Sequence, residues 1–168
     1  MKVPFRLRVL RALTEVIEGV NPDNGYENDL RGKVFRGRAV YDDNDPLPMV
    51  SIMEPPIPLE VMLSRESNPN STGDWELLIQ GFVPDDPANP SDPAHILMAE
   101  VKSVLAKEKK RDRGRNIFGI GYGSGGSAIV DMEIGQGSVR PGDDTSAYTF
   151  FWLTLTLKLS ENLEDPYA

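Results

Sequence analysis

Residues 107 to 126, KEKKRDRGRNIFGIGYGSGG, place a basic run directly before glycines spaced as in a phosphate-binding loop. Gly121-Tyr122-Gly123-Ser124-Gly125-Gly126 satisfies the GxGxxG spacing, in which glycines let the backbone approach a pyrophosphate and a following helix N-terminus holds its charge. That chemistry needs a strand before the glycines and a helix after them. Here a helical pattern precedes and a strand-like pattern follows, and no Gly-Lys-Ser/Thr closes a phosphate loop. The stretch from about 107 to 127 therefore reads as a long, flexible, basic and Gly-rich connection between a helix and a strand, an arm that becomes ordered on assembly.

Other chemistry is sparse. His95 is the only histidine, so a triad or an imidazole metal site would have to use it, and its place opposite a helical apolar stripe makes it an exposed surface side chain. The acid groups Asp42-Asp43 with Asp45, Asp85-Asp86 and Asp143-Asp144 carry oxygen ligands that Mg²⁺ or Ca²⁺ would accept. Each lies beside Pro, Gly or Asn, where Asp forms turns, and none has calcium-loop spacing. Trp75, Phe150, Phe151 and Trp152 could stack on bases or sugars, but their strand positions favour core or subunit packing. No catalytic residue, cofactor site or metal site is expected.

The chain has 168 residues, 39% hydrophobic and 26% charged, which suits one domain, 1–168, with a single core. No apolar run approaches the roughly 20 residues of a membrane span. The first twenty residues are broken by arginines and are followed by no small-residue cleavage site, so they do not read as a secretion signal. With no cysteine, disulfides and thiolate metal sites are excluded. Charge is uneven. Residues 1 to 11 (Lys2, Arg6, Arg8, Arg11) and residues 107 to 115 each carry a net +4, and against the whole chain's −8 these two segments leave −16 elsewhere. An acidic body with two basic segments is the reverse of a general DNA binder, and points to docking on further copies of the chain or on partners, or simply to solvated surface.

The elements that position these residues follow from periodicity. Val9, Leu10, Leu13, Val16, Ile17 and Val20 form one stripe at a 3.6-residue period, predicting a helix over 5–20 that Gly19 and NPDNG stop. Arg6, Arg8 and Arg11 then sit at the positive end of the helix dipole, an unfavourable placement that hints at an outside partner. A second helix is expected from Ser91-Asp92-Pro93, with Asp as cap, to about Lys109, its stripe being Ala94, Leu97, Met98, Val101, Val104 and Leu105. Period-two runs predict strands at Met49–Glu54, Trp75–Val83, Val130–Ile134 (with Val130, Met132 and Ile134 on one face) and Ala147–Leu159, with a short one within Lys33–Val40. An acidic tail occupies about 160–168. The fold class expected is α+β: a mixed, largely antiparallel sheet of about five strands with two helices packed on one face.

An amphipathic first helix, then NGYENDLRGKVFRGR, then DPLPMVSIMEPP, then GDWELLIQGFVPDDPANPSDPAHILMAEVKSVLAK, resembles the tail terminator (tail-completion, or minor tail protein) family of long-tailed bacteriophages. The likeness covers roughly residues 5–108, with the final strand compatible, and does not extend to 110–146. It implies a structural virion protein, not an enzyme: a homohexameric ring at the head-proximal end of the tail tube, assembled in the host cytoplasm. The ring would end tube polymerisation and present a joining surface. The implied partners are further copies of the chain, the tail tube protein, a neck or head-completion protein, and a sheath protein in a contractile tail. Viral DNA would pass through the lumen without specific binding, and no membrane is involved. The residues expected to make intersubunit or partner contacts are Arg6, Arg8, Arg11, Lys109, Lys110, Arg111, Arg113 and Arg115. A neck or head-tail joining protein, a small nucleotide enzyme acting through 119–126, and a free-standing ligand-binding module stand as alternatives.

Overall fold

The structure, a computed structural model, describes residues 1–39, 42, 44–55, 70–121, 126–142 and 147–168. It is an α+β fold with elements in the order α1 (Phe5–Glu18), β1 (Val34–Arg36), β2 (Met49–Met53), β3 (Asn70–Pro84), α2 (Asp92–Lys109), β4 (Ala128–Ile134), β5 (Ser138–Pro141) and β6 (Tyr148–Asn162). The six strands form one sheet in the order β1-β2-β3-β6-β4, with β5 also paired to β6. Only β1 and β2 run parallel. β2–β3, β3–β6, β4–β6 and β5–β6 are antiparallel.

The sheet is organised by β3 and β6, each 15 residues long and paired along their whole length. Alternation along β6 sends Phe151, Leu153, Leu155, Leu157 and Leu159 to one side, and the register places Gly81, Ile79, Leu77, Trp75 and Gly73 opposite them. Burying each of these leucines stabilises the fold by about 1.5–3 kcal/mol. On this same side lie Val9, Leu13 and Ile17 of α1 and Ala94, Leu97, Val101 and Leu105 of α2, all fully buried in one contiguous cluster. Both of these helices therefore cover one face of the sheet, and among the described residues the other face carries no helix.

Where the structure departs from sequence expectation, a local cause is visible. β4 is not a plain alternating strand: a bulge between Ile129 and Asp131 turns Val130 outward, 38% exposed, and brings Ile129 into the core. β5, a four-residue strand, was hidden by its brevity and its Arg140-Pro141 end. Asp92 is not the cap of α2. Ser91 occupies that position without a side-chain hydrogen bond, and Asp92 lies in the first turn. Glu100, mid-helix and nearly fully buried, reaches back to the 20–31 loop, where its carboxylate accepts hydrogen bonds from the Glu27 and Asn28 amides and from Asn28 Nδ2 at 2.7 Å.

Gly81 is needed for contact. A Cβ there would lie 2.1 Å from Cε1 of Phe151, the fully buried ring opposite it. Gly81→Ala is expected to lower stability by about 1–3 kcal/mol, because a well-packed core must shift to admit the methyl. Urea unfolding of the variant beside the parent measures this, and an unchanged midpoint would show that Phe151 relocates freely.

Candidate functional site

The basic residues singled out by sequence divide into two groups. Of those at the N-terminus of α1, Arg6 and Arg8 find partners within the chain. Helix α1 begins after Pro4 with no side-chain cap and no acid in its first turn, and the chain's own final segment supplies what is missing. The carbonyl of Pro166 accepts the Phe5 N–H at 3.0 Å, and Arg8 Nη2 donates to the carbonyl of Ala168. Arg6 makes a bidentate pair with Glu161, Nε to Oε1 at 3.0 Å and Nη2 to Oε2 at 2.8 Å, and its guanidinium lies 5.0 Å from the Trp75 ring. Donation to the Glu161 carboxylate raises the Arg6 pKa further above its ordinary value, against the opposing effect of partial burial. The Lys2 ammonium sits 5.5 Å from the Tyr167 ring. The intrachain partner thus accounts for Arg6 and Arg8 at the positive end of the helix dipole: Glu161 folds back on Arg6, and the Ala168 carbonyl on Arg8. Arg11, one turn further on, is exposed and has no ion pair among the described residues.

The second basic run is not a disordered arm, contrary to the sequence expectation. Residues 110–121 form two short 3₁₀ turns, Arg111–Gly114 and Ile117–Gly119, pinned by Ile117 and Phe118, which enter the core at 1% and 7% exposure. Two apolar side chains in a charged loop were the sequence signal for this anchor. The Glu108 carboxylate closes the loop by accepting the Phe118 N–H at 2.7 Å and pairing with Arg111 Nη1 at 3.3 Å. Lys109 lies 3.5 Å from Asp131 on β4. Lys110, Arg113 and Arg115 are exposed and have no acidic partner among the described residues.

The backbone of this loop is strained. Asp112 (φ 47°), Arg113 (φ 57°) and Gly114 (φ 81°) are consecutive left-handed residues, and Phe118 (φ 55°) is a fourth nearby. Non-glycine residues there cost about 1–2 kcal/mol each and persist only where surroundings over-determine them. The anchors supply that constraint, and the outcome is a cationic knuckle held out from the body. Between the knuckle and β4 lies an open cleft of about 460 Å³ lined by Ala106, Lys109, Lys110, Arg113, Gly114 and Ile134. Its accessible surface is mostly apolar, and three of its lining residues, Lys109, Lys110 and Arg113, are cationic.

The face of the sheet opposite the two helices holds the other exposed surface. Phe82 and Phe150 are directly opposed across β3 and β6, with ring centroids 5.9 Å apart. Trp152 stands 5.4 Å from Phe150, and Tyr148 meets Phe82 edge-on at 5.8 Å. Tyr148 and Trp152 remain 37% and 41% exposed. Further along the same face four carboxylates surround one lysine: Asp74 and Asp131 flank Lys158 in register, and Glu76 and Glu133 flank Thr156. Glu133 hydrogen-bonds Lys158, and with the fields of Asp74 and Asp131 it raises the lysine pKa. The sequence had Phe150 and Trp152 as packing residues, but only the register reveals that they join Phe82 and Tyr148 in one ladder.

The remaining sequence candidates occupy structural positions. His95 is exposed on α2, as expected from its place on the helix. Asp42 and Asp86 accept hydrogen bonds from the Asn44 and Ala88 amides, each at 2.8 Å, as turn formers. No group of three potential metal ligands occurs among the described residues. Asp43, Asp143 and Asp144, and residues 122–125 of the glycine motif, lie outside the described residues. On either side of that motif stand a 3₁₀ turn and strand β4, so the strand-then-helix order of a dinucleotide loop is not present.

The two basic groups should separate experimentally. Arg113→Glu with Arg115→Glu is expected to change stability by no more than about 0.5 kcal/mol, as for surface charges without partners. Arg6→Ala, which strips a bidentate partner and the cover of Trp75, is expected to cost about 1–2 kcal/mol. Thermal denaturation of both variants measures this; equal losses would contradict the division.

No protein-family model matches this sequence, and no curated protein matches it. Among solved structures, one protein whose name states no function is similar over 92% of this chain and 92% of its own, with a TM-score of 0.52 and 13% identity. At that identity the likeness shows the fold alone.

Proposed function

We propose that this chain is a structural virion protein that forms a six-membered ring on the head-proximal end of a phage tail tube. The ring ends tube polymerisation and provides the surface to which the neck joins. The observation that carries this reading is that one subunit displays two unlike exposed surfaces, the cationic knuckle and the aromatic and acidic open face. The resemblance of its segment order to tail terminators names the kind of assembly. Identical contacts between unlike surfaces close into a ring of six when each step rotates the subunit by about 60°. A cap must also match the tube end on one side and offer no further tube-like site on the other.

Its partners on this reading are other copies of itself, the tail tube protein, a neck or head-completion protein and, in a contractile tail, the sheath protein. The net charge of −8 suits a lumen through which DNA passes, since phosphate is retained by lysine and arginine contacts that release counterions. The neighbouring reading, a neck or head-tail joining protein, uses the same ring-forming surfaces at the next position in the virion.

Deleting the gene from the phage that encodes the chain tests the proposal. Headless tails with overlong tubes are expected in negative-stain electron micrographs. Tails of normal length beside filled heads that fail to join would move the protein to the neck, and particles like the parent would overturn both readings.

A further inference from the structure

We infer that the open sheet face of one copy receives the cationic knuckle of the next, with Trp152 seated in the cleft between Lys110 and Arg113. This deepens the ring-forming reading and rests on it, because it names the two surfaces that neighbouring subunits exchange.

The argument begins with what each surface lacks. Lys110, Arg113 and Arg115 have no acidic partner among the described residues, yet the loop holds them outward on left-handed backbone that costs free energy to maintain. The open face carries the complementary excess: Asp74, Glu76 and Glu133 have Lys158 as the cation in register beside them, and Asp131 is shared between Lys158 and Lys109. Within one subunit the knuckle meets the acidic rows through Lys109 and Asp131, 3.5 Å apart, and Lys110, Arg113 and Arg115 keep no acidic partner among the described residues. Ile117 and Phe118 fix the loop in the core on the helix side, while Glu76, Glu133 and Trp152 project from the opposite side.

Shape and chemistry agree with charge. Trp152 lies four residues along β6 from Thr156, so the exposed indole and the Glu76/Glu133 row are about 13 Å apart on one face. The cleft at the knuckle is mostly apolar, with Ala106 and Ile134 in its lining beside Lys110 and Arg113. An indole face between cations is a favourable arrangement, and it becomes stronger as water is excluded. Arg113 and Arg115 at the mouth then reach the carboxylates, which set orientation and exclude the like-charged alternatives.

Edge-to-edge strand pairing is disfavoured as a rival. β1 is three residues long, and the exposed edge of β4 bears a bulge and the charges of Asp131 and Glu133. Because knob and socket differ and lie on different sides of the subunit, the contact is head-to-tail.

The test uses two variants of the full chain: Trp152→Ala with Glu76→Lys for the face, and Arg113→Glu with Arg115→Glu for the knuckle. Both are first checked for parent-like circular dichroism and melting. Light scattering after size exclusion is expected to show the parent assembling beyond a dimer. Each variant alone should self-associate at least about tenfold more weakly, the loss typical of a central aromatic or arginine contact. Mixed one to one, the variants should form a dimer that grows no further, since one intact contact remains and neither free end can extend. A parent that stays monomeric at the highest soluble concentration would overturn the proposal, as would variants that assemble like the parent or a mixture that stays monomeric. This solution experiment reads the contact alone, and tail length in the deletion phage reads termination. Head-to-tail assembly with unchanged tail length would keep the contact and overturn the role at the tube.

Discussion

The pairing of β3 with β6 sets the geometry of everything else in the molecule. Fifteen residues on each strand stay in register without interruption, and a pleated strand sends its side chains to alternate faces. One set, from Trp75 to Phe151, builds the core with both helices. The other set must then stand together on the far side, and in this sequence it consists of aromatic rings at one end and carboxylates at the other. The same pairing that buries the core thereby composes the open face, residue by residue. Gly81 shows how closely the two are linked, because the space its missing side chain leaves is filled by Phe151.

A second constraint concerns where charge is neutralised. At the start of α1, Arg6 pairs with Glu161 and the Pro166 carbonyl takes the first helical N–H, so residues 161–168 close on the helix N-terminus. The Arg111–Gly114 turn behaves differently. At its base, Lys109 at the end of α2 and Arg111 are paired with Asp131 and Glu108, whereas Lys110, Arg113 and Arg115 have no acidic partner among the described residues. Charge that is left unpaired at a conformational cost makes most physical sense where a second surface arrives to meet it.

Much of this was legible in the sequence, and the failures have physical causes. Helix stripes and strand alternation depend on local periods, so both helices, the helix-covered sheet and the long final strand could be read directly. The bulge at Val130 breaks a period and therefore could not be. The partners of Arg6 and Arg8 lie more than 150 residues away, a pairing that no local pattern encodes. The order in the 110–121 loop was masked by its charge, because two apolar residues among glycines and arginines weigh little in composition but fix a loop when they reach a core. The aromatic ladder required the β3–β6 register, which sets Phe82 against Phe150. The glycine spacing at 121–126 was the opposite case, a motif whose flanking elements deny it the context its chemistry needs.

The proposed role is to end a tube by closing a ring upon it. The most direct measurement is electron microscopy of the purified chain added to tail tubes grown from the tube protein of the same phage. A terminating ring gives density with six-fold symmetry at one end of each tube, and no further growth from that end when more tube protein is supplied. Binding along the tube wall, or capped ends that continue to elongate, would contradict it.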